Sequence, residues 1–211
     1  MIEPLSSRTL RRAVGELKTR DPDLAVVVER FGEPPLWARR PGFATLIRII
    51  LEQQVSLSSG AAAYRRLQAV AGRVTSARVA ALREDRLRAA GLTRRKAAYC
   101  RGLARAVVDG GLQLQDLHRR PDAEVRTTLL EVPGIGPWTV DIYLLMALRR
   151  PDVWPSGDLA LARALTQVKG LSRVPGERRL TRIASQWSPW RAVAARILWH
   201  FYLSSRKPGR G

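Results

Sequence analysis

The chain has 211 residues, 45% of them hydrophobic, enough for a buried core and too many for a disordered segment. Lys and Arg number 37 against 18 Asp and Glu, a net charge of +19 spread along both halves, so the folded body itself predicts a polyanionic partner such as nucleic acid. A single cysteine, Cys100, and two distant histidines, His118 and His200, exclude a disulfide framework and a four-cysteine zinc or iron–sulfur site within one chain.

The first residues, MIEPLSSRTLRR, lack the apolar run of a signal peptide, and no stretch approaches about 18 apolar residues, which predicts a cytoplasmic protein. Helical spacing of apolar residues predicts helices over 43–55 (Leu46, Ile47, Ile50, Leu51 and Gln54 on one side), 60–70, 82–89 and 96–108, with Ser58, Thr75 and Thr93 as N-caps. Further helices are expected over 123–130, from Pro137 onward, after Asp158, and over 190–202, where Val193, Ile197, Leu198 and Phe201 recur. Gly and Pro clusters at 32–35, 40–42, 133–136, 151–157 and 188–189 supply the turns. Strand alternation is essentially missing, so the fold class is all-α. Cys100, Trp187 and Trp190 are expected in the core.

The most informative stretch is LLEVPGIGPWTVDIYLLMAL, residues 129–148. A helix ends near Val132–Pro133, Gly134-Ile135-Gly136 turns the chain, and Pro137 opens the next helix where a missing N–H does no harm. Both glycines suit backbone angles that other residues resist and leave bare amides at the positive end of the second helix, a phosphate cradle. Ile135 turns inward and pins the turn. A plain αα-hairpin uses glycine for tightness in the same way, and the positive charge favours the DNA-backbone reading.

Asp158 follows in VWPSGDLALARAL, at the first turn of a new helix. Taken alone, it is an ordinary N-cap. Hairpin followed by aspartate, however, resembles the helix-hairpin-helix (HhH-GPD) DNA glycosylase superfamily. Gln53-Gln54-Val55-Ser56, Gly136-Pro137-Trp138-Thr139, Pro155-Ser156-Gly157-Asp158 and Trp187-Ser188-Pro189-Trp190-Arg191 are similar to the 3-methyladenine DNA glycosylase II group. The likeness runs from about residue 40 to 203, without the N-terminal β-rich domain of the longer members.

The resemblance implies two helical domains with a cleft between them: 1–38 plus 155–211, carrying the catalytic Asp158, and a six-helix domain over 39–154 with the hairpin at 123–148. It implies a bacterial, nucleoid-associated monomer that excises alkylated purines such as 3-methyladenine and 7-methylguanine from double-stranded DNA in base excision repair, away from membranes. Asp158 would stabilise the oxocarbenium-like sugar and orient or deprotonate the attacking water. Trp138 stands where lyase-competent relatives carry a lysine, so the strand would be left uncut. Trp138 and Trp199 would wall the base pocket, their faces attracting a cationic alkylated base; Ile142 replaces a tyrosine of the group, with Tyr143 beside it. The loop Gln53-Gln54-Val55-Ser56, at a helix end, would enter the duplex, with Gln54 filling the gap left by the flipped base. Gly134, Ile135, Gly136 and Thr139 would join in DNA binding, as would Lys96, which a solvated charged turn explains nearly as well. A sodium or potassium ion on the carbonyls of Val132 and Ile135 is the only non-protein group expected; no catalytic metal or organic cofactor is implied. The alternatives are a glycosylase for mismatched, deaminated or oxidised bases and a non-catalytic DNA-binding module.

Overall fold

A computed structural model describes residues 3–206. Among them lie twelve α-helices, one 3₁₀ turn at Leu117–Arg119 and one π-helical turn at Tyr143–Ala147, and no strand. The chain folds as two compact units. Arg39–Tyr143 is one, and the flanking segments, ending at Ala38 and resuming at Leu144, form the other. The return to the first unit thus falls earlier than the 154/155 division expected from the sequence.

The inserted unit is built on α3 (Phe43–Glu52), whose Leu46, Ile47, Ile49, Ile50 and Leu51 are all within 1% of complete burial. Burying each such side chain stabilises the unit by about 2 kcal/mol before the entropy cost of ordering it. The helix stops at Glu52, short of the expected Val55: Gln53 leaves helical geometry (ψ 129°) and Gln54 turns into the left-handed region at φ +55°. Glu52 itself is held by Arg39 at 2.8 Å and Arg48 at 3.1 Å.

Next come α4 (Leu57–Ala71), α5 (Ser76–Ala81), α6 (Glu84–Ala89) and α7 (Arg94–Val108). Thr75 and Thr93 cap α5 and α7 as the sequence predicts, while α4 is capped by Ser56 rather than Ser58. Ala97, Cys100, Leu103 and Ala104 form the buried stripe of α7, and burial pushes the Cys100 thiol up to about 12, an inert core group. The unit ends with the hairpin helices α8 (Asp122–Leu130) and α9 (Pro137–Ile142), giving seven α-helices where six were expected.

The other unit assembles α1 (Ser7–Arg20), α2 (Pro22–Phe31), α10 (Leu159–Val168) and α11 (Glu177–Ser185) around α12 (Arg191–Ser204), every residue of which from Ala192 to Trp199 is buried. Arg196, fully enclosed in α12, donates to three carbonyls: Leu36 at 2.9 Å, Ala192 at 2.9 Å and Leu145 at 2.7 Å. Leu145 lies in the π turn, where the helical ladder is out of register and a carbonyl is left for another donor. Burial pushes the Arg196 guanidinium down to about 9, so it is still charged near neutral pH. Asp21, the cap of α2, is buried and accepts from Lys169 and from the Trp187 indole, each at 2.7 Å. Trp187 is core as expected. Trp190 is not: it is half-exposed, its indole N–H bonded to Glu16 and Arg12 lying over its ring.

Candidate DNA-binding hairpin and active site

The hairpin turn has one conformation that only glycine fits. Gly134 sits at φ +91°, and a Cβ there would fall 2.2 Å from the Tyr99 ring. Gly136 is different from expectation: its backbone is ordinary extended chain (φ −98°, ψ 177°), and a Cβ would meet nothing within 4 Å. Gly136 caps α9 without a side-chain oxygen, so the positive helix end has no cap of its own. Ile135 is 4% exposed and pins the turn, and Arg126 pairs with the buried Asp141 to tie α8 to α9.

The loop after α3 is fastened to this hairpin. Gln53 Nε2 donates to the Gly134 carbonyl at 2.9 Å and the Thr139 hydroxyl at 2.8 Å, and Thr139 is buried. From the other side Lys96 Nζ donates to the carbonyls of Leu51 and Gln53 at 2.7 and 2.9 Å. Lys96 therefore does not stand as a free phosphate ligand: it ties down the end of α3, and burial holds its amine below the ordinary lysine range. Gln53 likewise spends its amide on the hairpin, and Ser56 spends its hydroxyl on the Ser59 N–H. What the loop presents to solvent is Gln54, in its left-handed conformation, with Val55 46% and Leu57 61% exposed.

In the other unit, Gly157 turns the chain at φ +77° and Asp158 caps α10. One carboxylate oxygen of Asp158, Oδ1, accepts the Leu161 N–H at 2.8 Å and the Trp199 indole N–H at 3.4 Å. The two side chains singled out from distant parts of the sequence thus meet, with Asp158 half-buried and Trp199 8% exposed. Two recesses of this unit, of about 470 and 210 Å³, include neither of them.

Trp138 is half-buried near the start of α9. Ile142 (3% exposed) and Tyr143 (fully buried, its hydroxyl accepting the Gly42 N–H at 2.9 Å) are core residues rather than pocket walls, because the helical period turns them inward. A residue the sequence did not single out is Asp152. It accepts from Arg191 Nε at 2.8 Å, from Nη2 at 3.0 Å, and from the Ser188 hydroxyl at 2.9 Å, fixing the WSPWR segment at the start of α12. Burial alone would raise its carboxyl, yet these bonds and the Arg191 charge hold it below the usual range. Among the described residues no three His, Cys, Asp or Glu side chains are grouped to hold a metal ion.

The HhH-GPD superfamily base excision DNA repair protein family matches residues 47–189, and the chain belongs to that superfamily. It is 32% identical over 203 residues to a probable bifunctional transcriptional activator/DNA repair enzyme of Mycobacterium tuberculosis, covering 89% of this chain and 39% of that protein. A putative DNA-3-methyladenine glycosylase of Bacillus subtilis is 26% identical over 184 residues (83% of this chain, 64% of that protein). The chain thus spans less than two thirds of the length of these relatives. Among solved structures, a Schizosaccharomyces pombe 3-methyladenine DNA glycosylase in complex with abasic DNA superposes with a TM-score of 0.84 at 25% identity, covering 89% of this chain and 95% of that one.

Proposed function

We propose that this chain is a monofunctional DNA glycosylase that excises alkylated purines in base excision repair, acting as a monomer on double-stranded DNA. The observation that carries the reading is the Asp158 carboxylate held half-buried at the head of α10 by the Leu161 amide and the Trp199 indole, in a chain whose family and hairpin belong to DNA repair. Relatives named as 3-methyladenine glycosylases support the substrate class.

In the proposed reaction the bond from the sugar to the base breaks with its electron pair leaving on the base. That step is eased because an alkylated purine already carries positive charge. The sugar becomes oxocarbenium-like, and the Asp158 carboxylate stabilises it at close range. Water then bonds to the sugar carbon and passes its proton to Asp158. Trp199 steadies the carboxylate and offers an aromatic face to a cationic base. The exposed Gln54–Val55 tip fills the space the base leaves, and the uncapped end of α9 holds a backbone phosphate.

Trp138 supplies no amine at the position where lyases attack the sugar, so the product is an intact abasic strand. The Val132 carbonyl already accepts the Ile135 N–H at 3.0 Å and keeps a second lone pair; together with the Ile135 carbonyl it suits a sodium or potassium ion, which would neutralise phosphate charge at the turn. Incubation with methylated duplex tests the whole reading: free 3-methyladenine and alkali-labile sites are expected. A borohydride-trapped enzyme–DNA adduct would overturn the monofunctional assignment.

A further inference from the structure

The face of α12 that carries Trp199 does not end there. Tyr202 follows three residues later on the same side of the helix, and it and Arg206, which lies just past the helix end at Ser204, flank the recess of about 470 Å³ that α10 closes with Arg163, Thr166 and Gln167. Of the seven described residues that line it, six are polar or basic and none is acidic, and among the described residues no carboxylate pairs with Arg163 or Arg206. The Arg206 guanidinium lies over the Tyr202 ring, 4.7 Å from its centre, and also donates to the Tyr202 hydroxyl. That stacking fixes a flexible side chain in place and leaves its outer N–H groups for an anion.

We infer that this α10–α12 groove is a second DNA-backbone site, with Arg206 and Arg163 taking phosphodiesters of the lesion-bearing strand beside the flipped nucleotide. The inference rests on the glycosylase reading above, since it places the lesion sugar at Asp158. The helix rise of about 1.5 Å per residue puts Tyr202 about 4.5 Å along α12 from Trp199, and Arg206 lies just beyond the helix end at Ser204. The same strand is the one engaged because the groove and Asp158 share one pair of helices, α10 and α12. Contacts of this kind position the duplex and read no sequence.

The test compares wild type with Arg163→Gln/Arg206→Gln, both sites being exposed and outside the catalytic residues. The probe is a duplex containing a non-cleavable abasic analogue, titrated by anisotropy over a series of KCl concentrations. Loss of two phosphate contacts is expected to reduce the slope of log affinity against log salt by about 1.8, with Arg163→Lys/Arg206→Lys keeping the wild-type slope and with melting temperature unchanged. Neutral methylphosphonate linkages, placed one at a time in the lesion strand on either side of the analogue, should weaken wild type at one or two positions. The Gln variant should be insensitive at those positions. An unchanged salt slope, or equal methylphosphonate sensitivity in both proteins, overturns the groove while base release by wild type keeps the glycosylase reading intact. Failure of wild type to bind the abasic duplex overturns both.

Discussion

The amide of Gln53 donates to the hydroxyl of Thr139 at 2.8 Å, joining the loop after α3 to the second helix of the hairpin. The same nitrogen reaches the Gly134 carbonyl, so the tip at Gln54 and the hairpin turn are set as one piece. Two hydrogen bonds of about 1 kcal/mol each seat the loop. Gln53→Ala is predicted to slow single-turnover base release roughly tenfold to thirtyfold. Thr139→Val should do part of the same, and the double variant should be no worse than Gln53→Ala, since both act on one contact. Additive losses would show that Gln53 acts elsewhere.

Lys96 holds that loop from the other side. Lys96→Met would leave the Leu51 and Gln53 carbonyls without their donor, at a cost of about 1–3 kcal/mol. The prediction is a lower melting temperature together with slower base release, while the salt slope of DNA binding stays at the wild-type value. A slope reduced by about 1 would mean that Lys96 contacts a phosphate after all.

Gly134 has two reasons to be glycine, and they separate experimentally. Gly134→Ala meets both the Tyr99 ring and a backbone angle of φ +91°. Adding Tyr99→Gly removes the ring and the Cβ of residue 99, which would lie 2.2–2.7 Å from the new methyl, and so removes the clash alone. The double variant is predicted to remain about 1–3 kcal/mol less stable than Tyr99→Gly by itself, the cost of the backbone conformation. Full recovery would place the whole effect in the ring contact.

The sequence made some of this legible and left the rest out of reach for a physical reason. The hairpin, Asp158 and the caps at Thr75 and Thr93 are local patterns, readable within a few residues. Asp158 and Trp199, though 41 positions apart, each lie in a recognisable segment. The sequence offers Lys96 either a phosphate or a solvated charged turn, because the carbonyls it binds, of Leu51 and Gln53, lie more than 40 positions earlier. Asp152 with Arg191 and Arg196 with Leu36 are likewise long-range pairs that no spacing rule announces. Tyr143 is buried although the sequence sets it beside a pocket, because an aromatic residue there and one in the core look alike until the helical phase is known.

The Asp21–Lys169–Trp187 cluster sets a pH dependence of stability. Burial alone would raise the Asp21 carboxyl, but bonds from Lys169, Trp187 and Leu24 with the Lys169 charge hold it below its usual value. Its contribution is therefore complete above about pH 4–5 and lost as pH falls through the lowered value. Burial lowers Lys169, yet Asp21 and Asp23 raise it further, so its share is complete below about pH 10 and lost on raising the pH beyond its folded value. Asp21→Asn is predicted to cost about 2–3 kcal/mol, a fall in Tm of roughly 5–10 °C. That gap should be constant from about pH 5 to 9 and should narrow in acid. A gap that widens below pH 4 would contradict the assignment.

The most direct test of the central claim is base release from methylated duplex DNA by wild type and by Asp158→Asn, with strand integrity followed in parallel. Wild type is predicted to free 3-methyladenine and leave the strand uncut until alkali is added. The asparagine variant should bind the same duplex and release base at least about 100-fold more slowly. Release by Asp158→Asn at the wild-type rate would contradict the account.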